Sequence, residues 1–407
     1  MAVIEPVVHI FTSAANGGME HYVAAMIGEQ YRAGYQVLVG AIPRSPAWNV
    51  LENSNVKLFP LSVGKYFSLV NIMRVRNTLH DEKAAVVHIH TGKDVWLGAE
   101  VCFGTRSALV YSAYMNVAPK HDLLHRVMYR RIDAFGSSSE QINCDIIRHF
   151  GASPESVFSL KYGRNLPSDE ELRKLRAEGR RRLAIADDEI FVLSLSRIDK
   201  QKGIEEFVRA MRILNLHNVP DIRFGIVGSP TQSDVSFDGV PVYEKDAVAL
   251  QSWLQLFLRE NNLENTCTLL PNQSEYMSLL AAADIFVLAS YGEMYSLAVI
   301  EAMSCGAAII GTDAGGTTEQ IGKDPAGHGL RGILIPPRNT DALAEAIASF
   351  TAQPELRKLR GEAAKVWVRT HHTIKAALAQ VDAAYNFAIN SRRAKIAGCR
   401  VTLNGQI

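Results

Sequence analysis

The chain has 407 residues, of which 47% are hydrophobic and 21% are charged. It is therefore long enough for at least two domains of ordinary size, and its composition is typical of globular proteins rather than disordered chains. With 43 Lys and Arg against 42 Asp and Glu, the formal net charge is +1. Such a balance gives no overall positive field that would collect phosphates, so nucleic acid is not an expected partner.

Cysteine use and hydropathy indicate a reducing, intracellular setting. The five cysteines are widely separated and include no C-x-x-C pair, which favours reduced thiols over a zinc site or disulfide framework. The N-terminal residues lack the basic region and long apolar run of a secretory signal. The longest apolar stretch, 279–291, contains Asp284 and is shorter than the roughly 20 residues that span a bilayer. A cytoplasmic location is expected.

Continuous apolar runs alternate with segments of helical periodicity, a pattern typical of parallel sheets covered by helices on both faces. The predicted strands are 7–11, 37–41, 85–90, 108–112, 191–196, 222–227, 266–270, 285–289 and 307–312. The predicted helices are 19–33, 204–216, 250–261, 275–283, 297–305 and 340–351. Together these elements predict two doubly wound α/β domains.

A dense charge run at 166–186 follows the first series of strands and predicts a solvated helix or linker. The boundary is therefore placed here, with a first domain at 1–165 and a second at 166–373. A final segment, about 374–407, contains helical apolar spacing with no strand after it, and is assigned to the first domain.

The most informative segment begins where the strand at 285–289 ends. Glu293 precedes a predicted helix that starts near Ser296, contains Glu301 and stops at Gly306. The N-terminus of such a helix, at the carboxyl edge of a parallel sheet, presents N–H groups suited to a phosphate. The two carboxylates suit the hydroxyls of a sugar; alternatively, they are exposed or capping acids.

Glu293 and Glu301 resemble the E-x7-E motif of the retaining nucleotide-sugar glycosyltransferases of family 4, which have the GT-B fold. Further segments resemble motifs of that family in the same order over almost the whole chain. They are the glycine loop at 17–20, the H-x-H strand end at 88–90, the arginine and lysine at 197 and 202, and the G-G-x-x-E at 315–319. The resemblance implies two Rossmann-like domains facing across a cleft.

The resemblance also implies a role for each donor-side residue. Arg197 and Lys202 would neutralise the leaving diphosphate, and the backbone at residues 295–297 (Tyr295, Ser296 and Leu297) would help to bind it. Glu301 would hold the ribose hydroxyls, and Glu293 those of the transferred sugar. Without the resemblance, residues 197–202 are equally explained by a solvated charged loop.

Residues of the first domain have alternative explanations as well. Gly17 and Gly18 would approach the pyrophosphate closely, although a plain turn also explains two glycines. His90 is either a packing residue or, as the resemblance implies, a catalytic group that contacts the donor sugar. His88 is expected to be structural. No third ligand at an interpretable spacing joins these histidines, so no metal site is expected.

The implied activity is retaining transfer of a hexose or N-acetylhexosamine from a nucleotide diphosphate sugar to a glycan or lipid-linked acceptor, as in the synthesis of cell-surface polysaccharides or glycoconjugates. UDP-sugars are favoured over GDP-sugars, and neither a cofactor nor a metal ion is expected. The alternatives are a nucleotide-sugar epimerase of the same fold and a catalytically silent partner of a transferase.

The sequence departs from the family pattern at Ser196, at Tyr295, at 162–165 and at Tyr114, which occupies an acceptor-side position. Two segments combine bases with large apolar groups, Lys65–Arg76 and Lys120–Arg131. They predict peripheral contact with an anionic membrane on its inner face. An ordinary amphipathic helix with its apolar side in the core explains them equally well.

Overall fold

The computed structural model describes residues 5–15, 17–62, 68–119, 122–217, 219, 221–235 and 241–398. The chain forms two compact units. The first ends at Gly163 and resumes at Thr373, and the second extends from Arg164 to His372.

The first unit contains a seven-stranded parallel sheet in the order β3-β2-β1-β4-β5-β6-β7. Its strands are β1 (Val7–Phe11), β2 (Val37–Ala41), β3 (Lys57–Pro60), β4 (Val86–Ile89), β5 (Ala108–Ala113), β6 (Ala134–Ser137) and β7 (Val157–Ser159). Its helices up to this point are α1 (Gly18–Arg32), α2 (Pro46–Glu52), α3 (Leu69–Asp81), α4 (Asp94–Cys102), α5 (Leu123–Tyr129) and α6 (Glu140–Asp145). Every residue of β1, β2 and β4 is buried, as their continuous apolar sequences predict.

The second unit contains a six-stranded parallel sheet in the order β12-β9-β8-β13-β14-β15 and a small antiparallel pair, β10-β11. Its strands are β8 (Ile190–Leu195), β9 (Ile222–Val227), β10 (Gln232–Val235), β11 (Pro241–Tyr243), β12 (Cys267–Leu270), β13 (Ile285–Leu288), β14 (Ala308–Thr312) and β15 (Gly332–Ile335). Its helices are α7 (Asp169–Arg182), α8 (Ile204–Leu216), α9 (Lys245–Glu260), α10 (Met277–Ala282), α11 (Leu297–Ser304), α12 (Gly316–Ile321), α13 (Thr340–Ala352) and α14 (Pro354–His371).

The last helix, α15 (Ile374–Ile396), belongs to the first unit. Its fully buried Tyr385 packs with Val7, Val86 and Val110 of the sheet. Among the described residues, none of the helices combines the length and the apolar character needed to cross a bilayer.

Both sheets have the strand order of a doubly wound fold, which confirms the predicted fold class. In each, the first strand along the chain lies beside the fourth, β1 beside β4 and β8 beside β13. Connections leave these two strands towards opposite faces of the sheet, which opens a crevice at their carboxyl ends. Ligands of open α/β sheets bind at such crevices. In each unit, a ligand site is therefore expected at the carboxyl ends of these two strands.

The sequence predictions missed the edge strands β3, β7 and β15 and also β6, which lies beside β7. β7 has only three residues, all partly exposed, and β6 reads Ala-Phe-Gly-Ser without a β-branched residue. Strands this short are held by their neighbours rather than by their own pattern.

The charged segment 166–186 is a helix, α7, but the prediction that it is solvated is wrong for one face. Ser168 and Glu171 form a capping box at its start. Near its end Arg180 is buried, and its guanidinium lies 3.2 Å from Asp284 Oδ2. Arg176 pairs with the other oxygen of the same carboxylate at 2.7 Å. Two ion pairs therefore attach α7 to Asp284, directly before β13.

Replacing Arg180 by Ala should lower the free energy of unfolding by about 3–5 kcal/mol, because it leaves Asp284 inside the unit without one of its two cations. Arg181→Ala is the matched control. Arg181 is the exposed neighbour of Arg180, so replacing it should change the free energy of unfolding by less than about 0.5 kcal/mol. Urea unfolding of the two variants compares them, and equal midpoints would contradict this attachment.

Candidate functional site

Predicted donor residues lie where β8 and β13 end side by side in the second unit. Arg197 follows β8, and its exposed side chain makes no hydrogen bond or ion pair with the described residues. Lys202 lies in the same loop and Glu293 in the loop after β13. The Lys202 ammonium donates a hydrogen bond to Glu293 Oε1, and both side chains are largely buried. The two residues are thus brought together, as partners of each other.

A close backbone contact explains how Lys202 reaches the end of β13. Gly203, directly after it, has a φ of 63°, in the left-handed region that favours glycine. A Cβ added there would lie 2.1 Å from the carbonyl oxygen of Ala289. Only glycine lets the turn approach this strand end so closely.

The glycine pair of the G-G-x-x-E segment holds the loop that carries Glu293. The N–H of Gly316 donates to the carbonyl of Glu293 at 2.7 Å, and Gly315 has a φ of 57°. A Cβ on Gly316 would lie 1.8 Å from the carbonyl oxygen of Met294. The main chain of Gly315 and Gly316 therefore packs directly against the main chain of Glu293 and Met294.

Helix α11 begins beside this loop, but not all of its first N–H groups are open to a phosphate. Ser296 is the N-cap, and its hydroxyl accepts from the N–H of Val299. The buried side chain of Gln320 accepts from the N–H of Ser296 at 3.0 Å and donates to its carbonyl. Gln320 occupies the Ser296 N–H in this arrangement, so the predicted phosphate contact through the Ser296 backbone would require Gln320 to release it and stays a prediction. Instead, the N–H groups of Leu297 and Ala298 have no partner among the described residues.

Tyr295 precedes this cap and is buried, with its hydroxyl 3.2 Å from Nε2 of His372. The Tyr295 side chain therefore packs inside the second unit. A role of Tyr295 in donor binding would therefore rest on its backbone, as predicted.

Glu301 lies one and a half turns into α11 and is only 8% exposed. Burial raises the pKa of its carboxyl group, and Arg164 and the hydroxyl of Tyr276 counteract that shift. Arg164 Nη2 lies 2.9 Å from Glu301 Oε1, and the Tyr276 hydroxyl donates to the same oxygen at 3.0 Å. Sequence reasoning missed both partners; the only signal was that residues 162–165 depart from the family pattern.

In the first unit, Gly17 is the N-cap of α1, with extended backbone at φ −130°. A Cβ on Gly17 would lie 2.9 Å from Glu20 Oε2, so the glycine makes room for the buried acid that opens the helix. Gly18 is the first residue of α1. Asn16, directly before them, lies outside the described residues.

His90 belongs to a cluster of three buried histidines at the ends of β1 and β4. Its Nε2 lies 2.8 Å from His9 Nδ1, and its Nδ1 lies 3.2 Å from the hydroxyl of Tyr114. His88 contacts Tyr385 at 2.7 Å and Ser112 at 2.8 Å, which is consistent with the predicted structural role. Both ring nitrogens of His90 are thus already in use, and a hydroxyl of a ligand would have to replace one of these partners.

Burial lowers the pKa of all three histidines, that of His9 to about 3 and those of His88 and His90 well below the usual value. Burial likewise raises the pKa of Tyr114, the predicted acceptor-side residue. The cluster is therefore uncharged at neutral pH and acts through hydrogen bonds between neutral groups.

His9 is a third potential metal ligand, which the sequence analysis did not find. One nitrogen from each of the three rings lies within 4.8 Å of the others, and His9 Nε2 is buried with no hydrogen-bond partner among the described residues. The expectation that no third ligand joins His88 and His90 is therefore wrong. However, the hydrogen bonds at His88 and His90 occupy the nitrogens that a metal ion would need, and metal independence stays a prediction.

Two family models match successive parts of the chain. Residues 16–160 match the model described as Glycosyltransferase Family 4, and residues 176–367 match Glycosyl transferases group 1. A D-inositol 3-phosphate glycosyltransferase of Streptomyces bingchenggensis is 30% identical over 255 residues, which are 61% of this chain and 52% of that protein. An uncharacterized glycosyltransferase, MJ1607, of Methanocaldococcus jannaschii is 25% identical over 65% of each chain. The chain spans about half the length of the D-inositol 3-phosphate glycosyltransferases that it matches.

Solved structures show the same fold at lower identity. A glycosyltransferase from Rickettsia africae aligns with a TM-score of 0.79 at 16% identity, covering 94% of this chain and 98% of that one. Alr3699/HepE of Anabaena, crystallised in complex with UDP-glucose, aligns with a TM-score of 0.71 at 21% identity, covering 92% and 98%. Together these matches define a GT-B protein, and the chain belongs to glycosyltransferase family 4, as the motifs predicted.

Replacing Gly316 by Ala should displace the loop that carries Glu293, because the new Cβ would meet a carbonyl oxygen at 1.8 Å. We expect a loss of about 1–3 kcal/mol in stability, measured by denaturant unfolding. Gly292→Ala is the matched control one residue before Glu293, since its Cβ meets nothing within 4 Å. Equal stability of the two variants would show that the loop does not depend on this contact.

Proposed function

We propose that this protein is a retaining transferase that moves a hexose or N-acetylhexosamine from a nucleotide diphosphate sugar, with UDP-sugars preferred, to a glycan or lipid-linked acceptor. The observation that carries the proposal is the Lys202–Glu293 pair at the end of β13, beside the open N–H groups of α11. A cation, a carboxylate and a helix N-terminus are the groups that a sugar joined to a diphosphate requires.

The pairing of Lys202 with Glu293 supports a simple exchange on donor binding. Lys202 would leave Glu293 for a phosphate oxygen, and Glu293 would then accept hydrogen bonds from the hydroxyls of the sugar. Arg197, which is exposed at the end of the neighbouring strand, would supply the second cation. Stabilising the departing diphosphate with such fixed positive groups is the largest contribution expected in this chemistry.

The family resemblance supports the remaining features of the proposal. Members of family 4 retain the anomeric configuration, and fixed cations with a helix dipole take the place of a metal ion in charge neutralisation. The complexes of Anabaena Alr3699/HepE contain UDP and UDP-glucose, which supports UDP-sugars as the first donors to test. The names of the Streptomyces relatives suggest inositol 3-phosphate as one acceptor to include.

Thermal unfolding with UDP, GDP, ADP and their common sugar conjugates, in the presence of EDTA, tests the donor site. A nucleotide at 100 times its Kd should stabilise the native state by about 2.7 kcal/mol and raise Tm by several degrees. Lys202→Met should abolish the shift. Lys200→Met is the matched control, because Lys200 is exposed and pairs only with the exposed Asp246 at 3.5 Å.

The outcomes separate the candidate functions. A shift with UDP-sugars and a glycosylated product would support the proposal, whereas an isomerised donor would indicate the epimerase. Binding without turnover would indicate a silent partner of a transferase. If no nucleotide shifts Tm, or if Lys202→Met keeps full transfer activity, the donor-site assignment fails.

Exposed apolar side chains at the starts of α3 and α5 support a lipid-linked acceptor and contact with the inner face of a membrane. Both helices follow carboxyl ends of strands, at the sheet edge where His90 and Tyr114 also lie. The most exposed of these side chains are Leu69, Val70 and Met73 on α3 and Leu123 and Leu124 on α5. Arg126 and Arg130 are exposed near them, while Lys65, Tyr66, Phe67 and Lys120 of the predicted segments lie outside the described residues.

Replacing Leu123 and Leu124 together by Ser should reduce pelleting with anionic vesicles several-fold, because an amphipathic helix binds through its buried apolar area as well as its charge. Leu359→Ser on α14 is the control, since Leu359 is similarly exposed, at 63%, in the other unit. Unchanged pelleting of the α5 variant would remove this helix from the proposed membrane surface.

A further inference from the structure

Glu301 presents an electrostatic problem in its own unit. Its side chain is almost fully buried, and a carboxylate in such a place costs free energy unless cations or hydrogen bonds compensate it. The proposed function nevertheless calls for an ionised Glu301, because a carboxylate accepts from ribose hydroxyls more strongly than a neutral carboxyl group does. Something in the second unit must therefore keep Glu301 charged before a donor arrives.

Arg164 is placed to do this. Its guanidinium lies 2.9 Å from Glu301 Oε1, and its own side chain is 23% exposed. The backbone of Arg164 is fixed as well, because its N–H donates to the carbonyl of His372 at 2.7 Å. The position lies between the two regions that the family models match, 16–160 and 176–367.

The two contacts of the Glu301 carboxylate involve only one of its oxygens. Arg164 and Tyr276 both approach Oε1, and Oε2 takes part in neither contact. An oxygen held in this way fixes the orientation of the carboxylate plane and leaves the second oxygen for a ligand. The arrangement resembles the support that buried functional carboxylates need, supplied here by one cation and one hydroxyl.

We propose that Arg164 is a positioning residue for the nucleoside of the donor, which holds Glu301 ionised and oriented so that Oε2 accepts from the ribose hydroxyls. This inference rests on the proposed function and adds a residue to it. In this proposal Arg164 acts on the nucleoside through Glu301 and is a positioning residue, not a catalytic one.

Burial shifts the pKa values of two other groups around Glu301 away from neutrality. Burial raises the pKa of Cys305, which directly follows α11, to about 12. Burial also raises the pKa of Tyr276 above its usual value. Lys365, on the neighbouring helix α14, is paired with Asp169 at 2.8 Å. A titration between pH 6 and 8.5 therefore follows Glu301 as the group in this cluster whose charge depends on Arg164.

Calorimetric titration with UDP-glucose tests the proposal, since its two phosphates keep their charge over this pH range. Removing the cation in Arg164→Met leaves burial to raise the pKa of Glu301 further, so the variant should bind roughly ten- to hundredfold more weakly at the low-pH end of the titration. The deficit should shrink as the pH rises, because a larger fraction of Glu301 is then ionised. Arg164→Lys should restore most of the affinity and its weak pH dependence.

A second measurement separates positioning from a merely structural role. Arg164→Met should weaken binding of UDP-glucose much more than binding of its 2′-deoxyribose analogue, because the analogue lacks a hydroxyl that Glu301 holds. In the Arg164→Met/Glu301→Gln variant the pH dependence should disappear. An equal, pH-independent loss for both ligands would overturn the proposal while leaving the proposed function intact.

The proposed function fails in a different way. If the unaltered protein bound neither UDP nor UDP-glucose, the donor site and the role of Arg164 would both be wrong. If Arg164→Met did not fold, Arg164→Lys would still decide the matter. Its charge should preserve the preference for the ribose over the deoxyribose ligand, and loss of that preference with intact folding would contradict the inference.

Discussion

The placement of Glu293 depends on main-chain atoms that pack directly against one another. Gly203 approaches the carbonyl of Ala289 on one side, and Gly316 approaches the carbonyls of Glu293 and Met294 on the other. No side chain fits at these contacts, so the loop after β13 has little freedom to move relative to the sheet. Lys202 and the start of α11 are carried on the same framework, which is why a cation, a carboxylate and a helix N-terminus meet at one strand end.

Charges inside the second unit are compensated locally. Lys202 pairs with Glu293, Arg164 with Glu301, and Arg180 with Asp284. Separating such a pair would leave two buried ions without a partner, at a large cost in free energy. Each ion pair therefore keeps both of its side chains in place. The pairs differ in their proposed roles: Arg180 and Asp284 join α7 to the start of β13, whereas in the proposed function a diphosphate and a sugar would replace the mutual contact of Lys202 and Glu293.

The first unit uses neutral groups where the second uses charges. His9, His88 and His90 are buried, and burial keeps all three in the neutral form. Their hydrogen bonds extend to Tyr114 and Tyr385, so the chain of contacts connects β1, β4 and α15. A network of this kind orients hydroxyl groups without a net charge, in contrast to the ion pairs around the candidate donor site.

The sequence by itself determined the fold class and the membership of family 4, because buried parallel strands read as continuous apolar runs and the motifs of the site lie in short local segments. It also predicted that Glu293, Lys202 and the start of α11 belong to one candidate donor site. Only the tertiary structure decided what these groups contact. Arg164 reaches Glu301, His9 joins His88 and His90, and Gln320 occupies the N–H of Ser296, and each of these pairs is at least 24 residues apart in the chain. Such contacts depend on how strands and helices are arranged in space, which no local periodicity records.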